Sequence, residues 1–269
     1  MKKLSDLVTV VCVTWNNYDY FKLMYHMLKN KSDDNSIKLL VHINEDLDGK
    51  TREFCEQEKI TYTYSDTNQG IFWPLNNLVN LVETEYVLFW ADDILFLHSW
   101  DKYLLKALLF YREYVKDGVW ISPRLIEPVN CFFPDKHPYC TIHNFGLNIK
   151  EFLTKYSEEE LKKLRESEIR KLPNGNMIMS VKAFKELGGY DLNYKAGADS
   201  DLTWRFVKKY GAGGIKQVGS SLCYHFGSVV TSRDSTKRQE FEKQGVELFY
   251  KNHGFFIDDI TKRILENNI

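Results

Sequence analysis

The sequence predicts an α/β fold with a mostly parallel sheet and helices on both of its faces. Strand-like and helix-like segments alternate four times in the first 90 residues. Parallel strands need crossover connections, and a helix between successive strands supplies them. The 269 residues are 43% hydrophobic and 14% aromatic, a composition typical of a globular chain that buries a full core. Right-handed βαβ units of this kind build a sheet that is covered on both sides.

Four short apolar segments in the first 90 residues are the predicted strands of this sheet, and a polar turn follows each of them. The predicted strands are 7–13, 37–43, 60–64 and 86–91, and the polar turns are 14–17, 44–49, 65–70 and 91–93. Because the carboxyl ends of parallel strands lie at one edge of a sheet, we expect the four turns to line one crevice.

The second half of the sequence predicts further regular elements around an irregular segment, residues 123–150, which is rich in Pro, Cys and aromatic side chains. Such a segment between regular elements is more often functional than decorative. The predicted elements are a helix over 98–116, a strand over 118–122, a charged helix over 157–172, a strand over 221–224 and two helices after residue 234. We therefore expect one domain over 1–234, with halves at 1–117 and 118–234, and a helical extension over 235–269.

Charge and hydropathy give no support to two classes of interaction, binding of nucleic acid and insertion into a membrane. Basic and acidic residues nearly cancel, 36 against 37, so no global field favours nucleic acid. No apolar run approaches the roughly 20 residues of a membrane-spanning helix, and the N-terminus lacks the apolar core of a signal peptide. The five cysteines contain no C-x-x-C pair and indicate reduced thiols. We expect a cytoplasmic protein with no integral membrane segment and no nucleic-acid partner.

One group of soft ligands lies within the irregular segment: Cys131, His137, Cys140 and His143. Cysteine and histidine gathered in this way can bind zinc, but the spacings match no standard finger or ribbon. A loop that happens to contain these residue types is the favoured interpretation, and zinc binding is the alternative.

A pair of adjacent carboxylates, Asp92 and Asp93, ends the fourth predicted strand. Carboxylates are rarely left at the end of a buried strand unless negative charge is needed there. Paired Asp oxygens suit a hard divalent cation that carries phosphates. A helix cap ahead of the predicted helix over 98–116 is the alternative interpretation, because Asp readily accepts free backbone N–H groups.

Three later residues are further candidates for a site. Asp199 and Asp201 stand at the start of a predicted helix, directly after Gly197 and Ala198. Capping accounts for one acid at such a position, and a second acid suggests that one side chain points into a site. His225 follows the predicted strand over 221–224, which makes it a candidate metal ligand.

The order of these motifs resembles that of the inverting glycosyltransferase family 2, whose members have the GT-A fold. No motif is specific alone, but their shared order across residues 7–254 is. The matching segments are Thr14-Trp15-Asn16, Asn68-x-Gly70 with Asn76, Ala91-Asp92-Asp93, Gly188-Gly189-Tyr190-Asp191, Ala198-Asp199-Ser200-Asp201-Leu202 with Arg205, His225, and Tyr250-Lys251-Asn252-His253-Gly254.

The resemblance implies a role for each matching residue. Asp93 would coordinate Mg²⁺ or Mn²⁺ on a nucleotide diphosphate, with His225 completing the coordination, and Asp92 would contact the ribose or the metal shell. Asp199 would be the general base. The implied donor-binding residues are Thr14, Trp15, Asn16, Asn44, Glu45, Asn68, Gly70, Asn76 and Asp92, and the implied acceptor and donor pocket contains Gly175, Asn176, Asp201 and Arg205.

The implied reaction moves a sugar from a UDP- or GDP-type donor to a hydroxyl of a glycan, glycolipid or polysaccharide, with inversion. Three positions depart from the family pattern and leave the donor open: Asn44 replaces an acid, Leu75 an Arg and Ala198 a Glu. A nucleotidyltransferase is one alternative, but it should carry a Gly-rich basic loop after the first strand. A non-catalytic nucleotide- or sugar-binding homologue is another, and the joint presence of the candidate metal and base residues counts against it.

Overall fold

The computed structural model describes residues 2–128, 140–143, 159, 161, 175–226 and 235–266, with the backbone alone at 127, 128, 140–143 and 235. The strands are β1 (Val8–Trp15), β2 (Lys38–Asn44), β3 (Thr61–Ser65), β4 (Tyr86–Ala91), β5 (Ile94–Phe96), β6 (Trp120–Pro128), β7 (Cys140–His143), β8 (Ile178–Ser180) and β9 (Ile215–His225). The α-helices are α1 (Tyr18–Lys31), α2 (Lys50–Gln57), α3 (Phe72–Asn80), α4 (Trp100–Val115), α5 (Val181–Glu186), α6 (Ala198–Tyr210), α7 (Ser235–His253) and α8 (Asp259–Leu265). Short 3₁₀ turns cover Leu4–Asp6 and Ala212–Gly214.

The strands form one sheet in the order β3-β2-β1-β4-β8-β6-β9-β5, with β7 beside β6. Strands β3, β2, β1 and β4 are parallel, and a helix connects each to the next along the chain. The predicted parallel sheet with helical crossovers is therefore confirmed. Beyond β4 the sheet is mixed, because β8 runs antiparallel to β4 and β6, and β5 runs antiparallel to β9.

Helices cover both faces of the sheet, as predicted, because strand residues alternate between two cores. On β4, Leu88 and Trp90 lie in the core that contains α1 and α4, whereas Val87 and Phe89 lie in the core that contains α3, α5 and α6. Successive side chains of a strand point to opposite faces, so a strand buried on both faces is apolar throughout. Such a strand is a rigid base for the polar residues that follow it.

Two of the later predictions differ from the structure, and one strand was not predicted at all. Strand β9 begins at Ile215, six residues before the predicted strand, and its buried Gln217 and Ser221 interrupt the apolar pattern. Strand β6 continues to Pro128, into the segment predicted to be irregular. Strand β5, only three residues long, carries no periodic signal and was not predicted. The rest of the segment 129–150 apart from β7, and the predicted helix over 157–172 apart from residues 159 and 161, lie outside the described residues.

The C-terminal helices belong to the core of the second face. Phe249, Phe255 and Ile260 are buried there beside residues of α6. Helix α7 ends just before Gly254, whose φ is +76° and whose N–H bonds to the carbonyl of Tyr250. In the part of the chain that the structure describes, no helix is both long and apolar enough to traverse a bilayer.

Close backbone contact begins the pairing of β6 with β9. A Cβ atom on Gly214 would lie 1.6 Å from the carbonyl oxygen of Gly118, a separation that no real pair of atoms can adopt. Immediately after this contact Trp120 pairs with Ile215, and the parallel ladder runs to Pro123 and Val218 before its register shifts. Only glycine at position 214 allows the two strands to start in this register.

We expect Gly214→Ala to lower the free energy of unfolding by about 3 kcal/mol, because the backbone has to shift to admit the methyl group. Gly213→Ala is the matched control, since a Cβ atom there meets nothing within 4 Å. Urea denaturation of both variants measures the difference. Equal stability of the two variants would show that the contact does not fix the register.

Candidate functional site

The two adjacent carboxylates lie in a short turn that is fixed at both ends by aromatic packing. Asp92 and Asp93 connect β4 to β5, and the rings of Trp90 and Phe96 stack with centroids 4.0 Å apart and planes 9° apart. The indole N–H of Trp90 also donates to the carbonyl of Ile94 over 2.8 Å. Neither aspartate caps α4, because Ser99 occupies the N-cap position, so the helix-cap interpretation is wrong.

Sheet register brings His225 to this turn. Ile94 of β5 pairs with His225 of β9, and the N–H of Phe226 donates to the carbonyl of Asp93 over 3.0 Å. As a result, His225 Nε2 lies 3.5 Å from Asp93 Oδ2, with both side chains largely buried. These are the two residues that the sequence proposed as metal ligands, and they come from positions 132 residues apart in the chain.

The electrostatics of the turn favour a cation. Burial and the neighbouring Asp93 carboxylate raise the pKa of Asp92 from its ordinary value to about 7, and the nearby side chains of Thr14 and Asn17 only partly oppose this. Thr14 Oγ1 and Asn17 Nδ2 are themselves buried, without a hydrogen-bond partner of normal geometry among the described residues. Buried polar atoms without partners are uncommon in native proteins, so a ligand at this position would complete the bonding.

The turns after β1 and β2 join at the same edge of the sheet. Trp15 Nε1 and Asn16 Nδ2 both donate to Glu45 Oε2, over 2.9 and 3.2 Å, and Asn16 Oδ1 accepts from the N–H of Leu47. Asn16 and Glu45 adopt left-handed backbone conformations with φ of +46° and +48°. Such conformations in non-glycine residues cluster at functional sites.

The side chain of Asn44 is hydrogen-bonded to the 65–70 turn, the turn after β3, and so connects that turn to the same edge. Its Nδ2 donates to the carbonyl of Gly70 over 2.7 Å, and its Oδ1 accepts from the N–H of Gln69 and the hydroxyl of Ser65. Within the turn, Asn68 Oδ1 accepts from the N–H of Gly70. The buried Asn44 thus fixes the conformation of the 65–70 turn, while Asn68 and Gly70 of that turn are exposed to solvent. All four polar turns lie at one sheet edge, as predicted.

Asn76 bonds to the chain itself at the Gly-Gly-Tyr-Asp turn. Its Nδ2 donates to the carbonyl of Tyr190 and its Oδ1 accepts from the N–H of Tyr190, both over 2.9 Å. Gly189 has φ of +69°, and a Cβ atom there would lie 2.6 Å from Asn76 Oδ1. The amide of Asn76 therefore joins α3, in the N-terminal half, to the segment that leads to α6.

The candidate base, Asp199, lies in the first turn of α6 beside Gly175. A Cβ atom on Gly175 would meet Asp199 Oδ2 at 3.5 Å. Burial raises the pKa of Asp199, and its charge together with burial raises the pKa of Tyr190. The N–H of Phe89 donates to the carbonyl of Met177, and the chain before Met177 runs antiparallel to β4 toward Ala91. This direction brings the segment with Gly175 and Asn176 toward the carboxyl end of β4.

Asp201, which is buried, and Arg205, which is partly buried, form an ion pair that holds neighbouring segments together. Arg205 Nε lies 2.7 Å from Asp201 Oδ2, and its other nitrogens donate to the carbonyls of Leu187 and Gly189. Asp201 Oδ1 lies 2.8 Å from His253 Nε2 of α7. Both side chains are engaged within the protein, so any influence that they have on a pocket passes through the segments that they hold.

Sequence reasoning missed two residues of this region, Asn17 and His253. Asn17 stood in the first polar turn, and only its buried amide near Asp92 distinguishes it from Asn16. Of the alternative zinc ligands, Cys131 and His137 lie outside the described residues, while Cys140 and His143 bound β7 and only their backbone is described. Among the residues that the structure describes, no three His, Cys, Asp or Glu side chains cluster as a complete metal site.

Comparisons with known proteins agree with this architecture at the level of the fold. No family model matches the chain, and no curated protein matches its sequence. Among solved structures, TarS 1–349 of S. aureus in complex with UDP has a TM-score of 0.55 and 14% identity, covering 93% of this chain and 72% of TarS 1–349. The mannosyltransferase PcManGT of Pyrobaculum calidifontis, in complex with GDP-Man and Mn²⁺, has a TM-score of 0.58 and 14% identity. The match covers 96% of this chain and 68% of the PcManGT chain.

The chain has a GT-A-type fold. At 14% identity the likeness concerns the path of the backbone, and the residues of the site have to be argued from their own geometry. The fold class expected from the sequence is therefore confirmed.

We expect Asp92→Asn to stabilise the metal-free protein at pH 8 by about 2 kcal/mol. This is half of the free energy of unfolding that corresponds to the whole pKa shift of Asp92, because its side chain is partly exposed to water. Because the pKa of Asp92 is raised in the folded protein, Asp92 loses its proton at a lower pH in the unfolded chain than in the folded one. The destabilisation of the folded protein by the Asp92 charge therefore grows as pH rises from about 4 to about 7. The gain should vanish below pH 4, where both states are protonated. Urea denaturation with chelator at both pH values measures it, and an equal gain at both would contradict the burial of charge.

Proposed function

We propose that the protein is a metal-dependent, inverting glycosyltransferase of the family 2 type that uses a nucleotide-diphosphate sugar. The observation that carries this proposal is the juxtaposition of Asp92, Asp93 and His225 at the carboxyl edge of the sheet. Ligands of open α/β sheets bind at this edge. A donor of the UDP or GDP type is supported by neighbours of the same fold whose structures hold UDP or GDP-Man.

The metal in this proposal is Mn²⁺ or Mg²⁺, bound by Asp93 and His225. The carboxylate supplies the hard oxygen that such ions prefer, and the imidazole supplies nitrogen, which Mn²⁺ also accepts. Two protein ligands leave room for phosphate oxygens of the donor. When bound, the cation would act as a Lewis acid that stabilises negative charge on the leaving diphosphate. The neighbouring Asp92 would then contact the ribose or the metal shell, in its charged form.

The polar turns around this centre would hold the nucleotide. Thr14 and Asn17 have buried polar atoms available for a ligand, while Trp15, Asn16 and Glu45 form a bonded unit at the crevice edge. The exposed Asn68 and Gly70 complete the donor side. Asn44 and Asn76 contribute by fixing the 65–70 turn and the Gly-Gly-Tyr-Asp turn.

Asp199 is the proposed general base. The acceptor oxygen attacks the anomeric carbon, its proton passes to the Asp199 carboxylate, and the bond from that carbon to the diphosphate breaks with its electron pair. One base on the face opposite the leaving group gives inversion. Burial raises the pKa of Asp199, which makes its carboxylate a stronger base than an exposed one. Gly175 leaves the space beside this carboxyl open, because it has no side chain.

The acceptor in this proposal is a hydroxyl of a glycan, glycolipid or polysaccharide, received near Gly175 and Asn176. Asp201 and Arg205 shape this side by holding α6 and the Gly-Gly-Tyr-Asp turn. A cytoplasmic location is part of the same proposal, and the buried free thiols Cys12, Cys55 and Cys223 are in keeping with a reducing compartment.

We expect Asp199→Asn to lower turnover of the donor by about 10²–10⁴-fold, the range of general-base catalysis, without changing donor affinity. Release of UDP or GDP from a panel of nucleotide sugars with Mn²⁺ measures turnover, and calorimetry with UDP or GDP measures affinity.

Asp258→Asn is the control for this experiment, because it removes an exposed carboxylate just ahead of α8. It should behave as the wild type does. Turnover by Asp199→Asn at the wild-type rate would contradict the assignment of the base, and a wild-type chain that turns over no donor would contradict the proposed function.

A further inference from the structure

A connected series of bonds runs from the end of helix α7 to the first turn of α6. His253 Nε2 lies 2.8 Å from Asp201 Oδ1, and the other oxygen of that carboxylate binds Arg205 Nε over 2.7 Å. Arg205 then donates to the carbonyls of Leu187 and Gly189. The side chains of His253 and Asp201 are 6% and 3% exposed, so their contact is shielded from water, while Arg205 is partly buried. Shielded charge-assisted bonds are stronger than those on a surface.

This series of bonds ends at the Gly-Gly-Tyr-Asp turn, to which the side chain of Asn76 is also hydrogen-bonded. Tyr190 N–H and carbonyl both bond to Asn76, while the preceding Gly189 carbonyl accepts from Arg205. The turn is therefore held between α3 and α6. It leads directly into the segment 191–197 that ends at the first turn of α6, where the candidate base Asp199 lies.

Helix α7 is also packed tightly against this same segment. A Cβ atom on Gly245 would lie 2.3 Å from the carbonyl oxygen of Ala196, and one on Gly197 would lie 3.3 Å from Ile257. The rings of Phe249 and His253 lie with centroids 4.5 Å apart, which orients the imidazole toward Asp201. The C-terminal residues thus touch the segment before Asp199 at several positions.

We propose that His253 is a positioning residue for Asp199, acting through Asp201 and Arg205, and that helix α7 is therefore a functional part of the candidate site. The Asp201 carboxylate has two sets of partners. With His253 in place it is fixed between imidazole and guanidinium. Without His253 the buried carboxylate loses its partner at 2.8 Å and keeps only Tyr194 beside Arg205, which weakens its hold on Arg205 and on the Gly-Gly-Tyr-Asp turn. The catalytic part of the inference rests on the proposed function.

The first test is independent of activity. Hydrogen–deuterium exchange of the full chain should show the backbone N–H groups of Gly189 and Tyr190 exchanging about tenfold faster in His253→Leu than in the wild type. His253→Gln should stay within about twofold of the wild type, because its amide nitrogen can replace Nε2 as a donor to Asp201. Lys251→Leu, an exposed position on the same helix, is the matched control and should change neither.

The second test uses turnover. With Mn²⁺ and whichever of UDP-glucose or GDP-mannose the wild type hydrolyses, we expect His253→Leu to lower kcat about tenfold to 100-fold. The KM for the donor should change less than about threefold, and His253→Gln should restore kcat. Should His253→Leu fail to fold, His253→Asn replaces it, because its side chain is polar but too short to reach Asp201.

Two results overturn the inference: unchanged exchange at residues 189–190 in the variants that lose the bond, or equal effects of the Gln and Leu variants. If the wild type hydrolyses neither donor, turnover is compared with another nucleotide sugar of the panel that it does hydrolyse. A wild type that hydrolyses none of them contradicts the proposed function instead, while the exchange comparison still decides whether His253 holds the turn. The two failures are thus distinguishable.

Discussion

Two adjacent carboxylates at the end of a buried strand repel each other, and the packing around them has to hold them in place. The stack of Trp90 on Phe96 closes the turn that carries them, and the pairing of β5 with β9 anchors its far end. Burial and the neighbouring charge of Asp93 raise the pKa of Asp92, so keeping both carboxylates charged costs free energy. A divalent cation would remove the cost, so the turn is better suited to binding a charged ligand than to stabilising the fold.

The same arrangement links the two halves of the chain. Strand β9 supplies His225 from the second half. The contact of Gly214 with Gly118 fixes the start of its ladder with β6, the register shifts between Pro123 and Arg124, and the pairing with β5 places His225. Asn76 and Arg205 join the halves again through the Gly-Gly-Tyr-Asp turn. The candidate metal ligands and the candidate base are therefore positioned by side-chain and backbone bonds that cross the molecule, which makes their geometry sensitive to distant substitutions.

The sequence allowed the parallel half of the fold and its polar edge to be predicted, because apolar runs followed by turns are local signals. The pairing of β5 with β9 could not be predicted, since a three-residue strand has no period and its partner lies more than 100 residues away. Asn44 and Asn76 show a different limit. An amide side chain bonds equally well to a ligand or to the backbone, and in this protein both amides bond to the backbone. His253 lay in a matched motif, but only the structure shows that its side chain contacts Asp201.

The most direct measurement of the proposed site is anomalous diffraction near the manganese absorption edge, from crystals grown with Mn²⁺ and UDP or GDP. The burial of Asp93 and the approach of His225 predict one strong peak within bonding distance of Asp93 Oδ2 and His225 Nε2, with diphosphate oxygens completing the coordination. A bound nucleotide at another edge of the sheet, or manganese only at exposed carboxylates, would contradict it.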